Sequence, residues 1–123
     1  MTTATTRRFP ARLYSVGSEP DPRFTLANER TFLAWIRTSL ALTAGGVALE
    51  ALGQGLQSEL RLAAAVVLIT AGIVTALQAW WGWIHTERAL RQQTPLPSPR
   101  LALPVGAALV VVGVLILLAI VLA

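Results

Sequence analysis

The stretch that decides the fold of this chain is ANERTFLAWIRT, residues 27–38. It begins with polar and charged side chains and continues into apolar sequence while still carrying Arg37. A charged side chain is costly to place in hydrocarbon, so an arginine in a membrane-spanning helix usually has a function. The stretch therefore predicts a helix that enters a membrane and carries arginine with it.

Three long apolar segments divide the chain. Asp21-Pro22 is typical of a helix start, with an N-cap carboxylate before a proline at the first helical position. The first helix is predicted to run from there to about Leu52, and a break near Asn28 after a short interfacial helix is the alternative. About 20 apolar residues cross a bilayer as a helix. The predicted spans are residues 31–52, 62–84 and 101–123, with a polar loop over 85–100.

The fold class predicted from these segments is an all-α membrane protein with three transmembrane helices. Residues 21–123 form the membrane domain, and residues 1–20 form a basic, mobile N-terminal tail. Hydrophobic residues make up 54% of the 123 residues and charged residues 13%, which is too little polar surface for a soluble domain of this length. We predict a multi-pass protein of the bacterial inner membrane.

Arginine supplies all ten basic side chains, and the formal net charge is +4. These arginines flank apolar segments instead of forming a soluble basic face, which favours anionic lipid headgroups over nucleic acid as partners. The chain has no cysteine and one histidine, His85. No group of nucleophiles, paired carboxylates or metal ligands converges in the sequence. We therefore expect no catalytic residue, no metal site, no cofactor and no enzyme activity.

The orientation in the membrane follows from where the arginines lie. Five precede the first span and three occupy the loop between the second and third spans, whereas the turn after the first span has only Arg61. Positive charge is enriched on the cytoplasmic side of membrane proteins. The N-terminus is therefore predicted to be cytoplasmic and the C-terminus extracytoplasmic, with Trp35 and the cluster Trp80, Trp81 and Trp83 at the cytoplasmic interface.

Arg23, Arg30 and Arg37 are each seven residues apart. Seven residues fall about 20° short of two helical turns, so the three side chains share roughly 40° of arc. A parallel row contains Ala27, Ala34, Ala41 and Ala48. Small residues let membrane helices approach closely, so this face predicts a homo-oligomer. The arginines either line an axis shared by several copies, or reach phosphates and local partners.

Other polar residues are predicted to act near this row. Asn28, Glu29 and Gln78 are interpreted as a structural polar clamp, in which Glu29 reaches a neighbouring helix or the second loop. Gln78, His85 and Gln92 share one helical phase, and such a stripe facing the first span would give Arg37 partners. An ordinary interfacial histidine and a single hydrogen bond between helices is the alternative.

The run RFTLANERTFLAWIRT, residues 23–38, resembles the signature of the YidH-like family of small bacterial inner-membrane proteins. Residues 27–33 more distantly resemble the membrane domain of the eukaryotic vacuolar transporter chaperone, which passes polyphosphate through a channel lined by basic residues. This second resemblance implies channel-lining roles for Arg30, Arg23 and Arg100, and more loosely for Arg88. The chain has no polymerase domain, so polyphosphate synthesis is not implied.

Two functional hypotheses follow. The first is an oligomeric scaffold that binds anionic lipid or a membrane-protein partner through Arg23, Arg30, Arg37, Arg88 and Arg100. The second is an oligomeric anion or polyphosphate-type channel lined by Arg23, Arg30 and Arg37.

Overall fold

The structure is a computed structural model, and it describes residues 8–98 and 102–123. Its four helices are α1 (Ala11–Tyr14), α2 (Pro22–Leu52), α3 (Ser58–Gln92) and α4 (Ala102–Val121). No strand occurs in these two described ranges. The three helices α2, α3 and α4 are each long and apolar enough to cross a membrane. The predicted all-α, three-span architecture is confirmed.

The first membrane helix begins at its predicted cap. The Asp21 side chain accepts a hydrogen bond from the Arg23 backbone N–H at 2.9 Å, and Pro22 takes the first helical position. The helix then continues without interruption to Leu52. The alternative of a break near Asn28 is therefore wrong, because nothing in this stretch interrupts the backbone hydrogen bonds.

The second membrane helix is longer than predicted. Residues 85–92, interpreted from the sequence as part of a polar loop, form the last turns of α3. No glycine or proline lies between Trp83 and Thr94, so polarity alone does not end the helix. It ends at Gln93, which takes a left-handed conformation with a φ of 56°. At about 1.5 Å per residue α3 is roughly 52 Å long, so it extends beyond a ~30 Å hydrocarbon layer.

The helices α2 and α3 pack as a close antiparallel pair. Gly72 lies against the Ser39 carbonyl and the Thr43 side chain, where a Cβ atom would collide. Ser39 Oγ also donates a hydrogen bond of 2.6 Å to the Gly72 carbonyl. A second close approach places Gly46 against Ala65 and its neighbours on α3. Small residues thus bring the two backbones together, as in other membrane helix pairs.

The third membrane helix, α4, packs on α3, and within the described residues its backbone does not approach that of α2. Leu68 and Ala64 of α3 share a buried cluster with Leu42 of α2 and Val112 of α4. At the other end, the Gln57 N–H donates to the Ala119 carbonyl at 3.1 Å. The helix α3 is therefore the common neighbour of the other two long helices, and side chains of all three meet in one buried cluster.

The described part of the N-terminal segment, residues 8–20, contacts the end of α3. α1 lies in this segment, and Leu13 is buried. Residues 1–7 lie outside the described ranges, so the mobility predicted for residues 1–20 stays a prediction. Arg100, predicted as an anion-binding or pore-lining residue, also lies outside the described residues.

Candidate functional site

The candidate site is one side of α2, which we call the arginine face. It consists of Arg23, Arg30 and Arg37 together with Ala27, Ala34, Ala41 and Ala48. All seven residues are exposed. The buried positions of α2, which face α3, are Asn28, Ser39, Leu42 and Gly46. At 100° per residue, the three arginines lie about 140–180° away from that buried stripe. The arginine face thus points away from α3, and no described element covers it.

Two of the three arginines have no partner in the described chain. Arg23 pairs with Asp21, with Nη2 2.9 Å from Oδ2, although 84% of the Arg23 side chain stays exposed. Arg30 and Arg37 form no hydrogen bond or ion pair with any described residue. Arg88, on α3, is likewise exposed and unpaired within the described ranges. Guanidinium groups normally bind carboxylates, phosphates or carbonyls, so these three remain available to a ligand or another chain.

The polar stripe of α3 does not supply partners for Arg37 among the described residues. Arg37 points away from α3, whereas Gln78 lines a cavity between α2 and α3. His85 Nδ1 lies 2.8 Å from the Trp81 carbonyl, and its ring stacks on Trp81. Helical phase places these side chains on one side of α3, but it does not give their direction relative to α2.

The position of Arg37 along α2 can be related to the aromatic contacts. Phe32 of α2 meets Trp80 of α3 edge to face, with ring centroids 6.4 Å apart. Tryptophan clusters of this kind are typical of the membrane interface. Arg37 is five residues beyond Phe32, a rise of about 7.5 Å along α2 into its apolar part. Side chains of a helix tilt towards its N-terminus, so the guanidinium can extend back towards the level of Trp80.

A buried polar contact joins α2 to α3 on the side of α2 opposite the arginine face. Glu87, only 1% exposed, accepts hydrogen bonds at both carboxylate oxygens. Thr25 Oγ1 donates to Oε2 at 3.0 Å, and Asn28 Nδ2 donates to Oε1 at 3.2 Å. Asn28 Nδ2 also donates to the Trp83 carbonyl at 3.1 Å. The contact fixes the rotation of the N-terminal end of α2 against the C-terminal end of α3.

Of the predicted clamp residues, only Asn28 takes part in this contact. Glu29 is exposed and has no partner among the described residues, and Gln78 lies apart at the cavity wall. Sequence reasoning missed Glu87 because it was assigned to a loop. The absence of helix breakers before Gln93 was the signal that would have placed Glu87 on α3, opposite the N-terminal turns of α2.

A second buried polar side chain, Arg91, holds the N-terminal segment on α3. Its Nε donates to the Val16 carbonyl at 2.9 Å, and its Nη2 donates to the Tyr14 carbonyl at 3.1 Å. Glu19 accepts from Arg91 Nη1 at 3.1 Å and from Arg8 Nη2 at 2.7 Å. The hydrogen bonds from Arg8, then from Arg91, lower the pKa of Glu19 to about 2. This segment therefore depends on charge pairing.

Gly17 makes the close approach of this segment possible. It takes a φ of +60°, and a side chain there would collide with the backbone carbonyl of Arg91. The next residue, Ser18, donates its N–H to that same carbonyl at 3.0 Å. Burial raises the pKa of Tyr14, which lies beside both Arg8 and Arg91. Sequence reasoning counted Arg91 only as a loop charge.

The described residues contain no group of three or more histidine, cysteine, aspartate or glutamate side chains that could hold a metal ion. Of the buried or paired carboxylates, Glu19 pairs with arginine and Glu87 accepts hydrogen bonds from neutral donors. Both serve to hold parts of the chain together.

Comparison with known proteins places the chain among small membrane proteins. Residues 23–89 match the family described as "Domain of unknown function (DUF202)". The chain is 37% identical over 109 residues to "Inner membrane protein YidH" of Escherichia coli (strain K12), covering 86% of this chain and 93% of that protein. It is 45% identical over 100 residues to "Uncharacterized protein Rv2272" of Mycobacterium tuberculosis, covering 80% of this chain and 82% of that protein.

No solved structure matches the chain at a significant level. The match over residues 23–89 contains the whole arginine face and the Asn28–Glu87 contact. The resemblance to the YidH-like family and the localisation to the inner membrane are confirmed. The chain belongs to the DUF202 family and is a multi-pass inner-membrane protein with three apolar helices.

Proposed function

We propose that the protein is an oligomeric membrane scaffold whose arginine face joins copies of the chain and binds anionic lipid headgroups. The observation that carries this proposal is the exposure of Arg30 and Arg37, which lie opposite α3 and have no partner in the described chain. An arginine about 7.5 Å beyond Phe32 along α2 needs an anion or a polar group to offset its desolvation. A neighbouring copy and lipid phosphates can supply both.

The alanine row supports self-association. Without side chains beyond Cβ, Ala34 and Ala41 allow a second helix to approach the backbone of α2 closely. The arginines then lie at the edge of that contact, where they extend towards phosphates at the cytoplasmic interface. The same face can pack against another membrane protein that has a row of small residues, so we include such a partner in the proposal. We propose neither nucleic-acid binding nor catalysis.

The proposed topology has the N-terminus and the α3–α4 loop in the cytoplasm and the C-terminus outside. Arg8, Arg12 and Arg91 lie near one end of α3, with Arg61 at the other. This asymmetry supports the orientation through the preference of positive charge for the cytoplasmic side. A C-terminal reporter that is active only in the periplasm tests it.

The lipid-binding role can be tested by native mass spectrometry of the purified full chain with phosphatidylglycerol. Wild type is expected to retain the anionic lipid, and the double variant Arg30→Ala/Arg37→Ala is expected to lose most of it. Arg7→Ala combined with Arg12→Ala, which removes two charges from the N-terminal tail, is the matched control for the loss of two charges. Equal lipid retention by all three proteins contradicts the proposal.

The alternative function is an anion pathway, of the polyphosphate type, lined by Arg23, Arg30 and Arg37. Its support is that the three side chains share one exposed face and are spaced about 10.5 Å apart along α2. Several copies arranged around a common axis would place a ladder of cations along it. Flux of chloride, phosphate and short polyphosphate into proteoliposomes tests this function. The channel function is rejected if the proteoliposomes show no anion flux, or if Arg30→Ala and Arg37→Ala leave the flux unchanged.

A further inference from the structure

A cavity of about 180 Å³ lies between α2, α3 and residues 97–98 of the following segment. Four aromatic side chains line it: Phe32, Trp35, Trp81 and Trp83. It is separate from the arginine face, because Trp35 and Asn28 lie on the α3-facing side of α2. The faces of aromatic rings attract cations, and several rings together form cages for ammonium groups.

Asn28 opens on this cavity with a fixed orientation. The side chain is 93% buried, since its exposed fraction is 7%. Its amide nitrogen donates to the Trp83 carbonyl and to Glu87, and these two hydrogen bonds use both amide hydrogens of Asn28. The carbonyl oxygen Oδ1 has no hydrogen-bond partner among the described residues, and it is not sealed from solvent. Because Asn28 lines the cavity, this oxygen presents an unpaired acceptor there.

The lining holds one buried donor without a partner among the described residues, Trp83 Nε1, which an oxygen of the ligand would satisfy, and the acid next to Asn28 favours a positive charge beside it. The Glu87 carboxylate lies directly behind Asn28, 3.2 Å from its amide nitrogen, and is 1% exposed. Among the described lining residues there is no arginine. Of the arginines near this level, Arg30 lies on the far side of α2. In such a low-dielectric environment, a carboxylate interacts strongly with a neighbouring charged group.

We propose that this cavity binds an organic ammonium group, held by Asn28 Oδ1 and the surrounding aromatic rings. A cavity of about 180 Å³ is large enough for a small ammonium group such as an aminoethyl headgroup, with the rest of a lipid outside it. The cavity lies at the level of the tryptophan cluster, where lipid headgroups meet the acyl chains. The ammonium can belong to a phospholipid headgroup or to a free amine at the membrane surface.

The test is a titration of the full chain in detergent, followed by tryptophan fluorescence. The probes are dihexanoyl phosphatidylethanolamine, phosphatidylcholine and phosphatidylglycerol, which share a phosphodiester but differ in the headgroup. Phosphatidylethanolamine is expected to bind roughly tenfold or more tightly than phosphatidylglycerol, because only it brings a charged N–H donor to Asn28 Oδ1. Phosphatidylcholine, a cation without N–H, is expected to lie between them.

Trp35→Leu is expected to weaken binding of the ethanolamine lipid by about 3- to 30-fold, as loss of one cation–π contact does. Phe24→Leu is the matched control, since Phe24 is an exposed aromatic residue of α2 outside the cavity. If Trp35→Leu does not fold, Glu87→Gln replaces it, because this variant removes the charge and keeps the shape. It is expected to weaken binding of the ethanolamine lipid to the same extent. Arg37→Ala is expected to leave the binding of n-hexylammonium unchanged, because this amine has no phosphate for the arginine face, so that measurement is independent of the proposed scaffold function.

n-Hexylammonium distinguishes the two sources of the ligand. Binding of n-hexylammonium with the same dependence on Trp35, without binding of phosphatidylethanolamine, assigns the site to free amines. Binding of the ethanolamine lipid assigns it to membrane lipid. The proposal is overturned if phosphatidylglycerol binds as tightly as phosphatidylethanolamine and n-hexylammonium does not bind, or if the folded cavity variants bind both amines as wild type does.

Discussion

Glu87 is the residue that most directly joins the C-terminal end of α3 to the N-terminal end of α2. Replacing it with alanine leaves the Thr25 hydroxyl without its acceptor and Asn28 with one acceptor fewer. We expect Glu87→Ala to lower the free energy of unfolding by about 1–3 kcal/mol, the usual cost of leaving buried donors unsatisfied. Thermal unfolding in detergent, followed by circular dichroism, measures the change.

The control for this variant is Glu29→Ala. Glu29 is an exposed carboxylate near the same level, with no partner among the described residues. Its removal is expected to change stability by less than about 0.5 kcal/mol, as for most surface substitutions. Equal destabilisation by both variants would show that the Glu87 contact does not hold the helices together.

Glu19 makes the attachment of the N-terminal segment sensitive to acid. Its pKa is about 2 in the folded protein, below the ordinary value of 4.5, because Arg8 and Arg91 donate hydrogen bonds to its carboxylate. A lowered pKa means that its stabilising contribution is complete above about pH 4.5 and is lost as the pH falls towards 2. We expect protection of the Ser18 N–H from hydrogen exchange, corrected for intrinsic rates, to decline over that window.

Glu19→Gln is the matched variant for the acid effect. It keeps an acceptor for the arginines but has no charge to titrate. We expect its Ser18 protection to be lower than that of wild type at pH 5 and to vary less between pH 5 and 2. An unchanged acid dependence in this variant would assign the effect to another group, with Asp21 the nearest alternative.

At the scale of the helices, sequence reasoning succeeded where a local signal carried the information. Asp21-Pro22 fixed the start of α2, and the run of apolar residues with tolerated glycines fixed its course to Leu52. It failed at residues 85–92, because polar residues beyond the membrane were taken for a loop although no helix breaker was present. The direction of the arginine face relative to α3 also required the structure, since helical phase alone does not say which side a neighbour covers.

The crossing of α2 and α3 gives the prediction that belongs to this scale. Gly72→Ala places a Cβ against the Ser39 carbonyl, which cannot move aside as a flexible side chain would. We expect a loss of about 1–3 kcal/mol in the free energy of unfolding, typical of overpacking. Gly113→Ala on α4 is the control, because no described atom outside its own helical backbone lies within 4 Å of the added Cβ. If both variants unfold at the same temperature, the helices do not depend on this close approach.

For the whole molecule, the decisive feature is that α3 is the neighbour of both other long helices, whereas α2 and α4 each have α3 as their neighbour within the described residues. A single chain therefore leaves the arginine face of α2, which points away from α3, uncovered by any described element. Covering that face requires another molecule, and the alanine row makes a second copy of α2 a suitable one.

The final prediction tests this directly by disulfide cross-linking in native membranes. The chain has no cysteine, so single-cysteine variants report one position at a time. Ala41→Cys lies on the arginine face, and Leu40→Cys lies at nearly the same depth about 100° around the helix. Both residues are exposed in the single chain, so accessibility within one copy does not separate them. If copies associate through the arginine face, oxidation will give several-fold more covalent dimer from Ala41→Cys than from Leu40→Cys. Adding Arg37→Ala to the Ala41→Cys variant will change the dimer yield only if the arginine contributes to the contact. Equal yields, or more dimer from Leu40→Cys, would place the contact elsewhere and remove the structural basis for both an arginine-bound scaffold and an arginine-lined axis.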